Sequence, residues 1–225
     1  MPVPRRLAAC LSALLLAACA GTPVEAPSPP SGSADPSAAG ALQPLADRAP
    51  MLLHGFERQE AGPATGPEPG WMLRYRHPDS GSTAAVFLRR PRITPMPDGP
   101  SSPAVQMEVM AHALAVQALL GGSGTMTRVP DYAAGRGGGT PPVIRCADLR
   151  FGQPEAMVRR ELICASGLDG TVVTVMLSAR HGESDMDTAR RFLTSFALRL
   201  VSELRQGGSA QPPAGEEPAG RVFRV

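Results

Sequence analysis

The chain contains no lysine and no asparagine, and all 22 of its basic residues are arginine. Without lysine there is no Schiff-base amine, no Walker-type phosphate lysine and no Ser-Lys dyad. Aromatic residues make up only 4% of the 225 positions. The net charge is +2, a balance that does not point to a nucleic-acid partner. Histidine is scarce as well. None of His54, His77, His112 and His181 lies three to five residues from another His or from a Cys, so no metal-ligand spacing appears and no cofactor is expected. Long apolar runs are also missing. The stretch from Leu7 to Ala18 is about 12 residues, against about 20 for a membrane-spanning helix.

Proline and glycine are plentiful, at 25 and 24 residues, and they crowd into 21–50, 61–70, 91–103, 135–142 and 207–220. Such crowding marks tails and loops. The first 20 residues have the three parts of an export signal: Arg5 and Arg6, the apolar stretch, then small residues. Two cleavage readings compete. "ACA" at 18–20 fits release of a soluble protein after Ala20. "LAAC" at 16–19 resembles the lipobox of bacterial lipoproteins. That resemblance implies cleavage before Cys19 and lipidation of its thiol, and two or three acyl chains make such an anchor stable. The earlier "LAAC" ending at Cys10 follows almost directly on Arg6, with no apolar core before it. Ala20 stands where an inner-membrane retention Asp would stand, so in an organism with two membranes the resemblance implies the outer membrane, facing the periplasm. The alternative is a secreted or periplasmic soluble protein.

Four segments follow from this: signal peptide 1–18, tether 19–45, one domain over 46–205 and a tail over 206–225. The tether is Pro, Ala, Ser and Gly with few large side chains, too little apolar area to offset its ordering entropy. Within the domain, "MLLHGFER" (51–58), "GWMLRYRH" (70–77) and "STAAVFLRR" (82–90) read as strands, with "HPDSGS" (77–82) as a hairpin turn. A helix follows, with Ser102 as N-cap and Pro103 in its first turn. Val105, Val109, Val116 and Leu120 form its core stripe, and Met107, Met110 and Leu114 a second one. "TMTRVPDYAA", "VIRCADLRF", "MVRRELICAS" and "TVVTVMLSA" read as four more strands, with turns at 152–154 and at 167–170. The last helix, 184–207, carries one stripe of Ala189, Leu193, Phe196, Leu200 and Leu204. The order β-β-β-α-β-β-β-β-α implies an α+β fold: an antiparallel sheet of six or seven strands with two helices against one face. This order resembles the PsbP-like fold found among bacterial envelope lipoproteins. The stretch Gly55–Phe56 and Tyr75 to Leu88 resembles uncharacterised exported proteins. Neither resemblance carries a catalytic motif onto these residues.

An exported chain meets an oxidising environment, which favours a disulfide between Cys146 and Cys164. A turn centred near Glu155 sets the two face to face, but it also sets Arg150 against Arg160, a like-charge pair that argues for a slipped register. Two free thiols or zinc are the rivals, zinc being poorly supplied with further ligands. Glu108 and His112 are four apart on a helix, which is the spacing of a surface pair or of an acid–base pair. His77 with Asp79, Ser80 and Ser82 is explained by turn chemistry. "GGSG" at 121–124 reads as a helix cap, and "GRGGGT" at 135–140 as a loop without a phosphate-binding lysine. Arg89, Arg90 and Arg92 with Arg159 and Arg160 form a candidate patch for anionic lipid or wall polymer, against a solvated sheet face as the plain alternative. The expected role is non-catalytic binding or scaffolding at the membrane, with an envelope protein as partner. A hydrolase with an unrecognised site and a small-ligand carrier are the alternatives.

Overall fold

The computed structural model describes residues 39–65, 68–91, 96–121, 125–137, 140–152 and 157–207. The signal segment, Cys19, Arg92 and the tail beyond Gly207 lie outside them. The elements in chain order are α1 (Gln43–Ala46), β1 (Leu52–Leu53), β2 (Phe56–Pro63), β3 (Gly70–Arg76), β4 (Thr83–Arg89) and α2 (Pro103–Leu120). They continue with β5 (Met126–Ala134), β6 (Ile144–Gly152), β7 (Met157–Leu168), β8 (Thr171–Gly182), a 3-10 turn (Glu183–Asp185) and α3 (Met186–Gln206). The α+β class stands, with eight strands and three helices among the described residues. All eight strands form one open antiparallel sheet in the order β1-β2-β3-β4-β8-β7-β6-β5. The sheet is thus two four-stranded meanders, each followed by a helix, joined by the ladder that pairs Thr83–Arg89 with Val172–Ser178.

The two long helices cover opposite faces of the sheet, not one face as the pattern implies. Successive residues of a strand point to opposite sides. Leu162 and Cys164 of β7 join the cluster that holds Leu193, Phe196 and Leu200 of α3. Their neighbours Ile163 and Ala165 join the cluster that holds Val105, Val109, Ala113 and Val116 of α2. A strand covered on both faces needs apolar residues in an unbroken run, and all eight residues from Glu161 to Leu168 are buried. In β3 the alternation is one-sided. Leu73 and Tyr75 are buried on the α3 side, while Arg74 and Arg76 are exposed.

Two turns differ from the sequence reading. "MLLHGFER" is not one strand but β1, a two-residue turn and the start of β2, with Leu53 paired to Phe56. His54 and Gly55 have φ of 49° and 78°, the left-handed pair that such a tight hairpin requires. The turn between β7 and β8 is only Asp169–Gly170, again with both φ positive, and Gly167 and Leu168 belong to β7. The turn at 77–82 is as expected: His77 N donates to Ser82 O, and Ser80 N donates to His77 Nδ1. Ser102 caps α2 by accepting from Val105 N, 3.2 Å away.

The folded body also reaches further toward the N-terminus than the composition implies. Residues 39–45, read as the end of the tether, pack against the sheet with Leu42 and Leu45 buried in the α3-side core. Arg48 fixes the segment by donating to Leu204 O at the C-terminal end of α3, where a cation complements the free carbonyls. Tyr75 Oη donates to Pro50 O, 2.8 Å away.

Candidate functional site

Cys146 and Cys164 are directly paired on β6 and β7 and joined by a disulfide, with Cα atoms 4.1 Å apart. The register is not slipped. Arg150 does face Arg160, and the carboxylate of Asp148 between them explains why. Asp148 shares the α3 side of β6 with Cys146 and Arg150 because the side-chain period is two. Its Oδ1 lies 3.1 Å from Arg160 Nε, and its Oδ2 lies 3.4 Å from Arg150 Nη2 and 3.9 Å from Arg190 Nε of α3. Asp148 and Arg160 are fully buried. Arg160 also donates through Nη1 to Met186 O at the start of α3.

One carboxylate therefore serves three guanidinium groups, and the positive end of α3 adds to the surplus. His181 is buried beside them, its Nδ1 2.7 Å from Gly182 O. Burial holds His181 below its ordinary pKa of 6.5; the Gly182 hydrogen bond opposes this, the charge of Arg160 adds to it, and Asp185 and Asp148 oppose it more weakly. Among the described residues, Arg150 Nε and Arg160 Nη2 have no acceptor although buried. Unsatisfied buried donors at a charged group are uncommon.

On the other side of the sheet, Glu108 and His112 of α2 do meet, with Oε1 and Nε2 2.9 Å apart. Arg89 Nη1 is 3.6 Å from the same oxygen, and Thr174 Oγ1 donates to it at 3.4 Å. Burial raises the Glu108 carboxyl, but His112, Arg89 and Thr174 outweigh it and hold the group below 4.5. The His112 ring stacks on Phe87 with centroids 5.8 Å apart. This is a carboxylate fastening a helix to a sheet, each partner already occupied.

The outward side of α2 is a different kind of feature. At 100° per residue, Met107, Met110 and Leu114 fall opposite the core stripe. They are 46%, 51% and 53% exposed, and Leu119 on the flank is 82% exposed. The polar side chains Gln106, Glu108, His112 and Gln117 occupy the two seams between the stripes. The helix is thus apolar on two opposite faces and only one is used by the fold.

Of the five candidate patch arginines, Arg92 lies outside the described residues, and Arg89, Arg159 and Arg160 do not come together. Arg160 is buried on the α3 side, whereas Arg159 is on the α2 side with its Nε 2.7 Å from Glu161 Oε1. Arg89 pairs with Val172 and Arg159 with Arg180, which separates them by about 26 Å along β8 at the usual rise. His77 is buried between the rings of Phe56 and Phe192, away from solvent. No protein-family model matches the chain, and no curated protein or solved structure matches it significantly.

Proposed function

We propose that the chain is a lipid-anchored cell-envelope protein that binds rather than catalyses, and that it holds a protein partner on the outward face of α2. The lipid anchor rests on the "LAAC" stretch ending at Cys19. The binding role rests on one observation: Met107, Met110 and Leu114 stand about half exposed on a helix whose opposite side is already buried. Water penalises such a stripe, since fully covering one such side chain is worth about 1.5–3 kcal/mol. Contiguous exposed apolar patches mark interaction sites, and methionine-rich ones adapt to their partners. Among the described residues no helix is long and apolar enough to cross a membrane, so attachment in this reading falls to the N-terminal lipid.

Photo-crosslinking in the native cell tests the reading. A crosslinker placed at Met110 or Leu114 gives a protein adduct of discrete mass, and one at the exposed Thr127 of β5 gives none. Absence of an adduct at both α2 positions refutes the docking face. Metabolic labelling with a tagged fatty acid tests the anchor separately. An unlabelled protein whose Cys19→Ala variant stays with the membrane refutes it.

A further inference from the structure

The arginine cluster around Asp148 reaches a surface pocket through Arg190. A surface pocket of about 380 Å³ lies between β5 and α3, on the opposite side of the sheet from the outward face of α2. It is lined by Tyr132, Asp187, Arg190, Arg191, Thr194 and Ser195. Its volume is within the range that holds a small organic ligand or a lipid headgroup.

Arg190 links the buried cluster to this pocket. Its Nε edge faces Asp148 at 3.9 Å, and its guanidinium carbon sits 4.1 Å from the centroid of the Tyr132 ring. The ring is fixed in turn, since the hydroxyls of Tyr132 and Thr194 share a hydrogen bond of 2.9 Å. A guanidinium held on its inner edge and on one face has lost most of its rotamer freedom before any ligand arrives. Among the described residues, nothing accepts a hydrogen bond from its two terminal nitrogens, and its side chain is 31% exposed. The fork is therefore presented to the pocket.

The net charge behind it is positive, three guanidinium groups against one carboxylate. Arg150, Arg160 and Arg190 share one carboxylate, and Arg160 is fully buried with Nη2 lacking an acceptor. The pocket is also lined by Thr194, Ser195 and Arg191, of which the Thr194 hydroxyl is shared with Tyr132 and Arg191 Nη2 donates to Thr188 Oγ1, while Asp187 at the exposed rim is the one carboxylate of the lining. A free guanidinium fork in a pocket that also holds a second guanidinium and hydroxyl groups suits a phosphate group, whose several oxygens accept charge-assisted hydrogen bonds.

We propose that this pocket binds a phosphate group, with Arg190 as the main contact and the Asp148 cluster as the device that positions it. The phosphate reaches it either on a soluble phosphorylated compound or on an anionic phospholipid headgroup, and the two sources are separable.

The probe for the first is inorganic phosphate added to the full-length protein, with sodium chloride at matched ionic strength as the reference. Phosphate raises the melting temperature saturably, by about 2–4 °C at concentrations well above Kd. Arg190→Gln weakens the response at least about tenfold, as expected for loss of a charge-assisted contact. Arg180→Gln, on an exposed arginine of β8 outside the pocket, leaves it unchanged. Should Arg190→Gln fail to fold, the pair Arg191→Gln and Thr194→Val carries the same expectation. For the second source, the Cys19→Ala chain, which has no N-terminal lipid to confuse the readout, is floated with phosphatidylglycerol or phosphatidylcholine vesicles. Flotation with the former alone, lost in Arg190→Gln, assigns the headgroup. A phosphate response without flotation assigns a soluble ligand. Equal melting temperatures in phosphate and chloride up to about 50 mM, together with no flotation, overturn the proposal. So does a pocket variant that folds and responds like the native protein.

Discussion

Asp148 is the residue on which the interior of the α3 side turns. Removing one partner of a buried ion pair leaves the other charge unpaired, at about 3–5 kcal/mol, and here three guanidinium groups depend on one carboxylate. Asp148→Asn is expected to lower stability in urea denaturation by that amount or more. Asp148→Leu combined with Arg160→Met is expected to recover part of it, because an apolar pair of similar bulk avoids the desolvation penalty. The disulfide partners were legible in the sequence because spacing about one turn fixes cross-strand pairs. The Arg150–Arg160 pair argues against that register only while Asp148 is left out. Asp148 stands between Cys146 and Arg150 in "CADLR", and the two-residue period puts all three on one side. Arg190 was not legible in the same way. It comes from a helix some 40 residues later, and periodicity does not say which face of the sheet that helix will cover.

At the scale of elements, the turns show what a dipeptide specifies. The Asp169–Gly170 turn carries a familiar hairpin signal, whereas His54–Gly55 lies inside an alternating run whose pattern is that of a single strand. Gly55 is there for two reasons. Its φ is 78°, and an added Cβ would come 2.6 Å from His77 Nε2, a ring packed between Phe56 and Phe192. Gly81 also has positive φ, at 65°, but nothing stands within 4 Å of the space a Cβ would fill. Gly55→Ala is therefore expected to cost about 2–3 kcal/mol and Gly81→Ala about 1 kcal/mol. Equal losses in thermal denaturation would show that backbone conformation alone matters at Gly55. The strands β6 to β8 did announce their two-sided burial through near-continuous apolar runs, as in "ELICAS" and "TVVTVML". Taking both helices to one face overlooked that the second side also needs a cover. The second stripe of α2 then stays free, and it is the stripe on which the binding role rests.

For the whole molecule, the buried histidine makes stability depend on pH. His181 has a folded pKa below its ordinary 6.5, and His54 shifts the same way through burial and the charge of Arg199. The unfolded chain then holds more protons than the native one just below pH 6.5, so stability rises with pH across that window. The contribution is fully present above the unfolded value and is lost as the pH falls toward the folded one. The slope is at most about 1.4 kcal/mol per pH unit for each group. Urea midpoints are expected to fall between pH 7.5 and 5.5, and His181→Gln to flatten part of that fall, His54 accounting for the rest. An unchanged slope in the variant would assign it to other groups.

The two-meander topology also has a consequence for the order of synthesis. Each meander pairs strands close in sequence, so β1 to β4 complete their own ladders as soon as they are made. The outer side of β4, "TAAVFLR", faces no partner until Val172–Ser178 arrive, more than 80 residues after its last residue. At typical elongation rates of about 5–20 residues per second this leaves the strand edge open for several seconds. An apolar strand with one unpaired side is the usual template for pairing with a foreign chain. Strand β4 ends at the centre of the finished sheet, yet it is the most exposed edge of the nascent chain, and it is there that a holding chaperone would have to act.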